Sequence, residues 1–210
     1  MTTLKSDTFG TITREGDRVI RDTRAAAPWA RWLARYLLRR EQRALRHLGS
    51  FGIDGIPRLL HADRASLSRA WIEGAPMHLA RPSEPAYFRA ALRLLRRLHA
   101  ARVLHNDLAK ETNWLVTPHG RPALVDFQLA TVLGKKRGAL ARARAHDDLR
   151  HLLKHKRNYL PECLTARERR VLARRSWISR LWMATGKPVY LFITRRILRW
   201  RDREGAGDRP

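Results

Sequence analysis

Two acidic side chains and one amide accompany short apolar runs in the middle of this chain. Asp107 comes shortly after Val103-Leu104, Asn113 follows it in the same polar loop, and Asp126 ends the apolar run 122–125. Because such runs are typical of short buried strands, we expect the three polar side chains to face one cleft at the strand ends. Carboxylate and amide oxygens suit Mg²⁺ bound beside substrate phosphates. One carboxylate can also accept a proton from an attacking hydroxyl, so the pattern predicts a phosphoryl-transfer site.

Composition limits the class of protein. The 210 residues carry a formal net charge of +25, and 44% of them are hydrophobic. That length suits one domain or two tightly joined lobes with a real core. The charge indicates an anionic partner, which could be nucleic acid, a membrane surface or a phosphorylated molecule, unless the arginines simply form solvated helix faces.

The single cysteine, Cys163, excludes an intramolecular disulfide and favours a reducing compartment. The first residues lack the apolar core of a signal peptide. No apolar tract approaches the roughly 20 residues that a membrane-spanning helix needs. We therefore expect a cytoplasmic protein that does not cross a membrane.

The chain ahead of the polar loop predicts a small sheet and one helix. Thr, Val and Ile around Glu15-Gly16-Asp17 predict a β-hairpin over residues 4–22. Phe9-Gly10 fits either a reduced lid over phosphates, since glycine lets the backbone approach a ligand, or an ordinary turn. Pro28 is expected to open a helix that runs to about residue 48. Its predicted inward stripe comprises Trp29, Leu33, Leu37, Leu45 and Leu48.

Glu41 is the only acidic residue of that predicted helix, and it lies on the inward stripe. An unpaired buried carboxylate is costly, so Glu41 should have a cationic partner. We expect that partner to be Arg21, at the end of the preceding strand. A local pair with Arg40 or Arg43 is the alternative.

The stretch Trp71 to Met77 contains glycine and proline after a predicted strand, as a connector between two lobes would. We place the boundary inside it. Residues 1–73 would form an N-terminal nucleotide-holding lobe, and residues 74–210 a C-terminal catalytic lobe. Residues 158–210 would be a basic helical tail within that second lobe.

The polar loop resembles the catalytic loop of the protein-kinase-like superfamily in His105-Asn106-Asp107 and Asn113. Asp126-Phe127-Gln128 is similar to the superfamily's magnesium-binding Asp-Phe-Gly motif. The amino-acid sequence of the loop and the small size of the chain most resemble the bacterial lipopolysaccharide kinases, including 3-deoxy-manno-octulosonic acid kinases. That group is related to RIO kinases and aminoglycoside phosphotransferases. The resemblance covers roughly residues 4–156. It implies an α+β, bilobal kinase-like fold with a small antiparallel N-lobe sheet, one helix C and a shortened, mainly helical C-lobe.

The resemblance implies roles for the loop residues. Asp107 would orient and deprotonate the acceptor hydroxyl, and Lys110 would neutralise charge on the transferred phosphoryl group. Asn113 and Asp126 would bind the Mg²⁺ that bridges the phosphates of ATP. His105 would pack under the loop.

It also implies roles on the nucleotide side. Arg21 would hold the α and β phosphates where the family has a third-strand lysine, and Glu41 would match its helix-C glutamate. Phe9-Gly10 would lie near the phosphates, while Glu73 and Ala75 belong to the hinge that reads adenine through backbone groups.

Two adjacent acids, Asp147 and Asp148, open a helix predicted to run to His155. By the same resemblance, either of them would anchor the catalytic loop from below. We expect only one of the two to do so.

Several positions depart from the family pattern. Five residues separate Asp107 from Asn113 where protein kinases have four, so the register of Asn113 is in question. Arginine at position 21 keeps the charge of lysine with a different shape and reach. Gln128 replaces a glycine, and neither a Gly-rich triplet before Phe9 nor an Ala-Pro-Glu sequence after Asp126 is present. Because of these departures, a catalytically inert pseudokinase is an alternative assignment.

The expected function is ATP- and Mg²⁺-dependent phosphoryl transfer to a sugar hydroxyl of a lipopolysaccharide-core-like glycolipid at the inner face of the cytoplasmic membrane. A protein Ser/Thr kinase is the nearest alternative. A basic nucleic-acid-binding module is an alternative of another class, less favoured because solvated arginines explain the charge. A helix from Pro188, with arginines around apolar positions, could lie on an anionic bilayer or pack on the C-lobe.

Overall fold

The computed structural model describes residues 2–134 and 138–174. Most of the predicted basic tail, including the helix expected from Pro188, lies outside the described residues. Within them, no helix combines the length and apolar character that crossing a membrane requires.

Five antiparallel strands form the sheet of the first lobe. The strands are β1 (Thr2–Asp7), β2 (Gly10–Glu15), β3 (Arg18–Asp22), β4 (Leu59–Ala62) and β5 (Ser66–Ala70), and their order in the sheet is β1-β2-β3-β5-β4. The hairpin predicted around Glu15-Gly16-Asp17 is confirmed, because Gly16 and Asp17 form the turn between β2 and β3. Gly16 has a φ of 56°, which glycine adopts at little cost.

One long helix, α1 (Arg31–Leu48), packs against β4 and β5. Gln42 holds it there, donating from its amide nitrogen to the carbonyls of Asp63 at 2.7 Å and Ser66 at 2.9 Å. The helix begins after the predicted start at Pro28, because residues 28–30 form a turn.

The predicted inward stripe of α1 is wrong at several positions. Trp29 lies in the preceding turn and is exposed, while Leu33 and Leu37 are half-buried. The structure instead buries the residues one position further along, which rotates the inward face by about 100° at that end of the helix. The buried residues are Ala34, Leu38, Glu41, Gln42, Ala44, Leu45 and Leu48.

The second lobe is mainly helical, with short strand pairs at its upper edge. Its elements are β6 (Ala75–Pro76), α2 (Met77–Ala80), α3 (Pro85–Ala100), β7 (Val103–Leu104), β8 (Trp114–Val116), β9 (Pro122–Leu124), β10 (Thr131–Val132), α4 (Ala139–Tyr159) and α5 (Ala166–Ala173). Strands β6, β8 and β9 form one small sheet, and β7 pairs with β10. The α+β, bilobal fold class predicted from the sequence is therefore confirmed.

The core of the second lobe lies directly beneath the polar loop. Trp114 and Phe127 are fully buried there, against leucines of α3 and α4. Buried aromatic rings contribute a large share of core stability, so the loop rests on a rigid base. Gly55, from the loop after α1, joins the lobes, because its carbonyl accepts a hydrogen bond from Leu124 at 2.8 Å. A Cβ at Gly55 would lie 2.7 Å from the carbonyl oxygen of Pro122.

Candidate active site

The backbone of the polar loop is anchored by Asp148 on α4. Its carboxylate accepts hydrogen bonds from the backbone N–H groups of His105 and Asn106, each at 2.9 Å. Asp148 is only 1% exposed, and hydrogen bonds to an ionised buried carboxylate are among the stronger ones in proteins. Of the two adjacent acids that the sequence offered, the structure therefore selects Asp148 as the anchor.

His105 joins the loop to the strand that leads to Asp126. Its Nε2–H donates to the carbonyl of Val125 at 3.0 Å, and its ring packs on Phe127 with centroids 4.8 Å apart. Burial lowers the pKa of His105, which keeps the imidazole neutral. The expectation that His105 packs under the loop is confirmed.

Asp107, Lys110 and Asn113 meet at the loop despite its extra residue. The amide nitrogen of Asn113 donates to the Asp107 carbonyl at 2.8 Å and to its Oδ2 at 3.0 Å, and Lys110 Nζ lies 3.1 Å from the same Oδ2. A single 3₁₀ turn, Glu111–Asn113, brings Asn113 back to Asp107. The Asn113 carbonyl also accepts from the backbone N–H of Val125 at 3.1 Å. The loop is thus tied to the residue before Asp126.

Asp126 has a left-handed backbone conformation, with φ of 63° and ψ of 69°. Non-glycine residues rarely adopt it, although aspartate tolerates it better than most. Gln128, which stands in place of the family's glycine, donates from its amide nitrogen to Asp126 Oδ1 at 2.6 Å. The same Oδ1 lies 4.0 Å from Arg21 Nη1. Asp126 therefore faces the sheet lobe as well as the loop.

Arg21 on β3 pairs with Glu41 on α1, at 3.2 Å between Nη1 and Oε2. The predicted pairing is confirmed, and Glu41 is only 2% exposed. Burial raises the pKa of Glu41, and the nearby guanidinium groups of Arg69 and Arg21 oppose that rise. Arg69 Nε lies 3.4 Å from Glu41 Oε1. The buried carboxylate thus has a cation on each oxygen.

Sequence reasoning missed Arg69. A signal existed, because Arg69 is two positions from Leu67 on β5 and alternate residues of a strand share a face. Leu67 is fully buried opposite Arg21 in the β3–β5 register, so Arg69 points toward the same helix. Only the β3–β5 register shows that Arg69 pairs with Glu41.

Arg40, the alternative partner considered for Glu41, binds elsewhere. Its Nη2 donates to the carbonyls of Leu129 at 2.7 Å and Ala130 at 3.1 Å, and to Thr131 Oγ1 at 3.1 Å. These acceptors follow Asp126 in the chain. Arg40 therefore holds α1 against the segment that leads away from the site.

Neither a family model nor a curated protein matches the sequence. Many solved structures are similar in fold. One is the crystal structure of the Rio2 kinase from Chaetomium thermophilum, with a TM-score of 0.57 and 14% sequence identity over 74% of this chain. This chain has a protein-kinase-like fold. It spans only about half of that structure, 55%, and at this identity the likeness concerns the fold.

The predicted phosphate-covering residues lie at the turn between β1 and β2. Phe9 belongs to this two-residue turn, and Gly10, with φ of 117°, begins β2. A Cβ at Gly10 would lie 2.1 Å from the carbonyl oxygen of Asp22, so glycine is needed where the turn approaches β3. The turn thus lies at the end of the sheet that carries Arg21, and a role over phosphates stays a prediction.

The predicted hinge lies in the crossing from β5 to β6. Glu73 directs its carboxylate back to the first lobe, accepting from Trp71 Nε1 at 2.6 Å and lying 3.4 Å from Arg14 Nη2. Ala75 pairs with Val116 through β6 and β8. The backbone reading of adenine by Glu73 and Ala75, and the lobe boundary after residue 73, remain predictions.

Proposed function

We propose that this protein is an ATP- and Mg²⁺-dependent phosphotransferase. The observation that carries the proposal is the junction of Asp107, Asn113 and Asp126 with the Arg21–Glu41 pair. These residues come from a loop, a strand end, a sheet strand and a helix that are far apart in the chain. Structural packing alone gives little reason to bring so many polar groups together.

On the acceptor side, Asp107 is the proposed base for the incoming hydroxyl. The Asn113 amide and Lys110 ammonium both lie on its Oδ2, which fixes the orientation of the carboxylate. A positioned base of this kind contributes roughly 10² to 10⁴ in rate. Lys110 would then move toward the transferred phosphoryl group, where its charge stabilises the developing negative charge.

On the nucleotide side, Asn113 and Asp126 would hold Mg²⁺, which supplies charge neutralisation on the phosphates when bound. Asn113 uses its amide nitrogen on Asp107, which leaves its Oδ1 as an acceptor. Within residues 2–134 and 138–174, no three His, Cys, Asp or Glu side chains form a metal cluster. One carboxylate and one amide oxygen suit Mg²⁺, which takes few protein ligands and completes its shell with phosphates and water.

For the acceptor, we propose a sugar hydroxyl of a lipopolysaccharide-core-like glycolipid. The resemblance of the loop to lipopolysaccharide kinases supports this class, and the net charge of +25 suits an anionic acceptor. The short connection from Asp126 to α4, which begins at Ala139, leaves little chain for the activation segment of a regulated protein kinase. A protein Ser/Thr kinase remains the competing assignment.

Two measurements test the proposal. Mg-ATP should raise the midpoint of thermal unfolding of the wild-type protein, because a ligand that binds only the folded state stabilises it, and should do so much less for Asp126→Asn. Labelled ATP should then transfer phosphate to a lipopolysaccharide precursor and not to general protein acceptors. Transfer to proteins alone would assign a protein kinase. An absent thermal shift and no transfer would indicate an inert fold, and tight, salt-sensitive nucleic-acid binding would then favour the basic module.

A further inference from the structure

One face of α1 and of the turn before it presents three aromatic side chains to solvent. Trp29 is 68% exposed, Trp32 72% and Tyr36 50%. Trp32 and Tyr36 are four residues apart, which places them on one side of the helix. The same side continues toward the C-terminal end of α1 with three exposed arginines at helical spacing, Arg39, Arg43 and Arg46. We call these six residues the aromatic–arginine face.

The aromatic–arginine face carries no negative charge. Glu41, the only acid of α1, is buried against Arg21 and Arg69 on the opposite side of the helix. Tyr36 keeps its hydroxyl at 3.3 Å from Arg40, so its polar end is also turned toward a cation. An anionic partner would meet no repulsive group along this face.

Aromatic side chains have large apolar surfaces, and the fold buries those of Trp114 and Phe127 completely. The side chains of Trp29, Trp32 and Tyr36 leave theirs in solvent. Three exposed aromatic side chains within eight residues of sequence form an apolar patch, and large exposed apolar patches mark contact sites for partners or membranes. The aromatics lie at one end of the face and the arginines at the other, over roughly 25 Å of helix.

We propose that the aromatic–arginine face docks on an anionic phospholipid bilayer. Trp and Tyr favour the membrane–water interface, where their rings reach the acyl boundary and their polar ends stay hydrated. Exposed arginines gain favourable energy from lipid phosphates. Single-stranded nucleic acid fits less well, because its binding sites are basic grooves with interleaved aromatic rings. Among the six residues of the aromatic–arginine face, the three aromatic residues come before the three arginines along the chain.

The docked face adjoins the candidate active site. Arg40 binds the carbonyl of Leu129, whose side chain is 38% exposed three residues after Asp126. A bilayer under α1 would therefore lie beside the segment that follows Asp126. If the proposed function holds, this contact presents a membrane-borne acceptor to Asp107. The docking itself does not depend on phosphoryl transfer.

Vesicle flotation of the full chain tests the docking with a matched pair of variants. Arg39→Gln/Arg43→Gln/Arg46→Gln removes three charges from the aromatic–arginine face. The control removes three exposed charges from α3, at Arg89, Arg93 and Arg96. With vesicles of phosphatidylcholine and phosphatidylglycerol, we expect the α1 variant to lose ten-fold or more in partitioning and the α3 variant to stay within two-fold of wild type. Equal losses would show attraction by net charge alone and overturn the proposal.

Depth of insertion gives a second readout that keeps the proposal testable if the triple variant folds poorly. Vesicles of brominated phosphatidylcholine and phosphatidylglycerol quench tryptophans that enter the acyl boundary. Trp29→Phe/Trp32→Phe keeps an aromatic ring at both positions and leaves five of the seven tryptophans. We expect the quenched fraction of fluorescence to fall in this variant. Unchanged quenching would overturn the proposal, and preferential binding of a single-stranded oligonucleotide through the same face would replace the bilayer with nucleic acid.

Discussion

Arg40 on α1 donates a hydrogen bond from Nη2 to the carbonyl of Leu129 at 2.7 Å, while its neighbour Glu41 pairs with Arg21. Consecutive helix residues point about 100° apart, so one helix reaches two parts of the site at once. Glu41 fixes α1 against the nucleotide-side arginine, and Arg40 fixes it against the chain after Asp126. The rotation of α1 about its own axis therefore sets the positions of Arg21 and of the chain after Asp126.

Replacing Arg40 with alanine should separate α1 from the turn after Asp126. Three acceptors would lose their donor, and we expect the free energy of unfolding to fall by about 1 to 3 kcal/mol. Urea denaturation measures the loss, and Arg43→Ala, an exposed arginine one turn along the helix, is the control. That control should change stability by less than about 0.5 kcal/mol. Equal effects from the two variants would remove Arg40 from the role given to it.

Substituting Asp107 with asparagine should abolish most phosphoryl transfer without unfolding the protein. The amide keeps the shape of the carboxylate but cannot accept the hydroxyl proton. We expect a loss of roughly 10² to 10⁴ in turnover, with the Mg-ATP thermal shift preserved. Transfer from labelled ATP measures it. Asp54→Asn, in an exposed loop, is the control and should retain full turnover. Full activity in Asp107→Asn would rule out Asp107 as the base.

Asp148 should contribute strongly to the free energy of unfolding. Asp148→Ala leaves the N–H groups of His105 and Asn106 without their acceptor, at a cost of about 2 to 4 kcal/mol in unfolding free energy. Asp148→Asn keeps one acceptor oxygen and should cost less. Chemical denaturation can rank the two variants. Asp147→Asn at the adjacent position serves as the comparison, and an equally large loss there would contradict the selection of Asp148.

Acid should weaken the fold because buried histidines are held neutral. Burial lowers the pKa of His105 and His155, and lowers that of His151 to about 4, where nearby Lys154 adds to the effect and Asp148 opposes it. The unfolded chain takes up these protons near its ordinary pKa of about 6.5, before the folded state does. Stability is therefore present above about pH 6.5 and is lost as the pH falls toward the folded-state values.

His151→Gln should reduce the pH dependence of the free energy of unfolding. The slope should fall by up to about 1.4 kcal/mol per pH unit, which corresponds to one proton. Urea denaturation at several pH values between about 7 and 4.5 gives the slope. The same slope in His151→Gln and the wild type would show that His151 is not a neutral buried group.

The sequence by itself determined the site residues that lie close together in the chain. Val103 to Val116 form one strand, loop and strand, so local spacing places Asp107 and Asn113 in one loop. The 3₁₀ turn Glu111–Asn113 then brings the two side chains together despite the extra residue. The Arg21–Glu41 pair was also predictable, because the helix has a single acid that would be costly to bury alone. The fold class followed from the motifs and their order.

Only the tertiary structure decided which face of α1 is buried, and therefore that Trp29 and Trp32 are exposed. Helical spacing shows which residues share a face, but the rotation of the helix against the sheet selects the face that is covered. Likewise, the register of β5 placed Arg69 on Glu41, and the docking of α4 chose Asp148 over its neighbour. These choices depend on contacts between elements distant in sequence, and local periodicity carries no information about them.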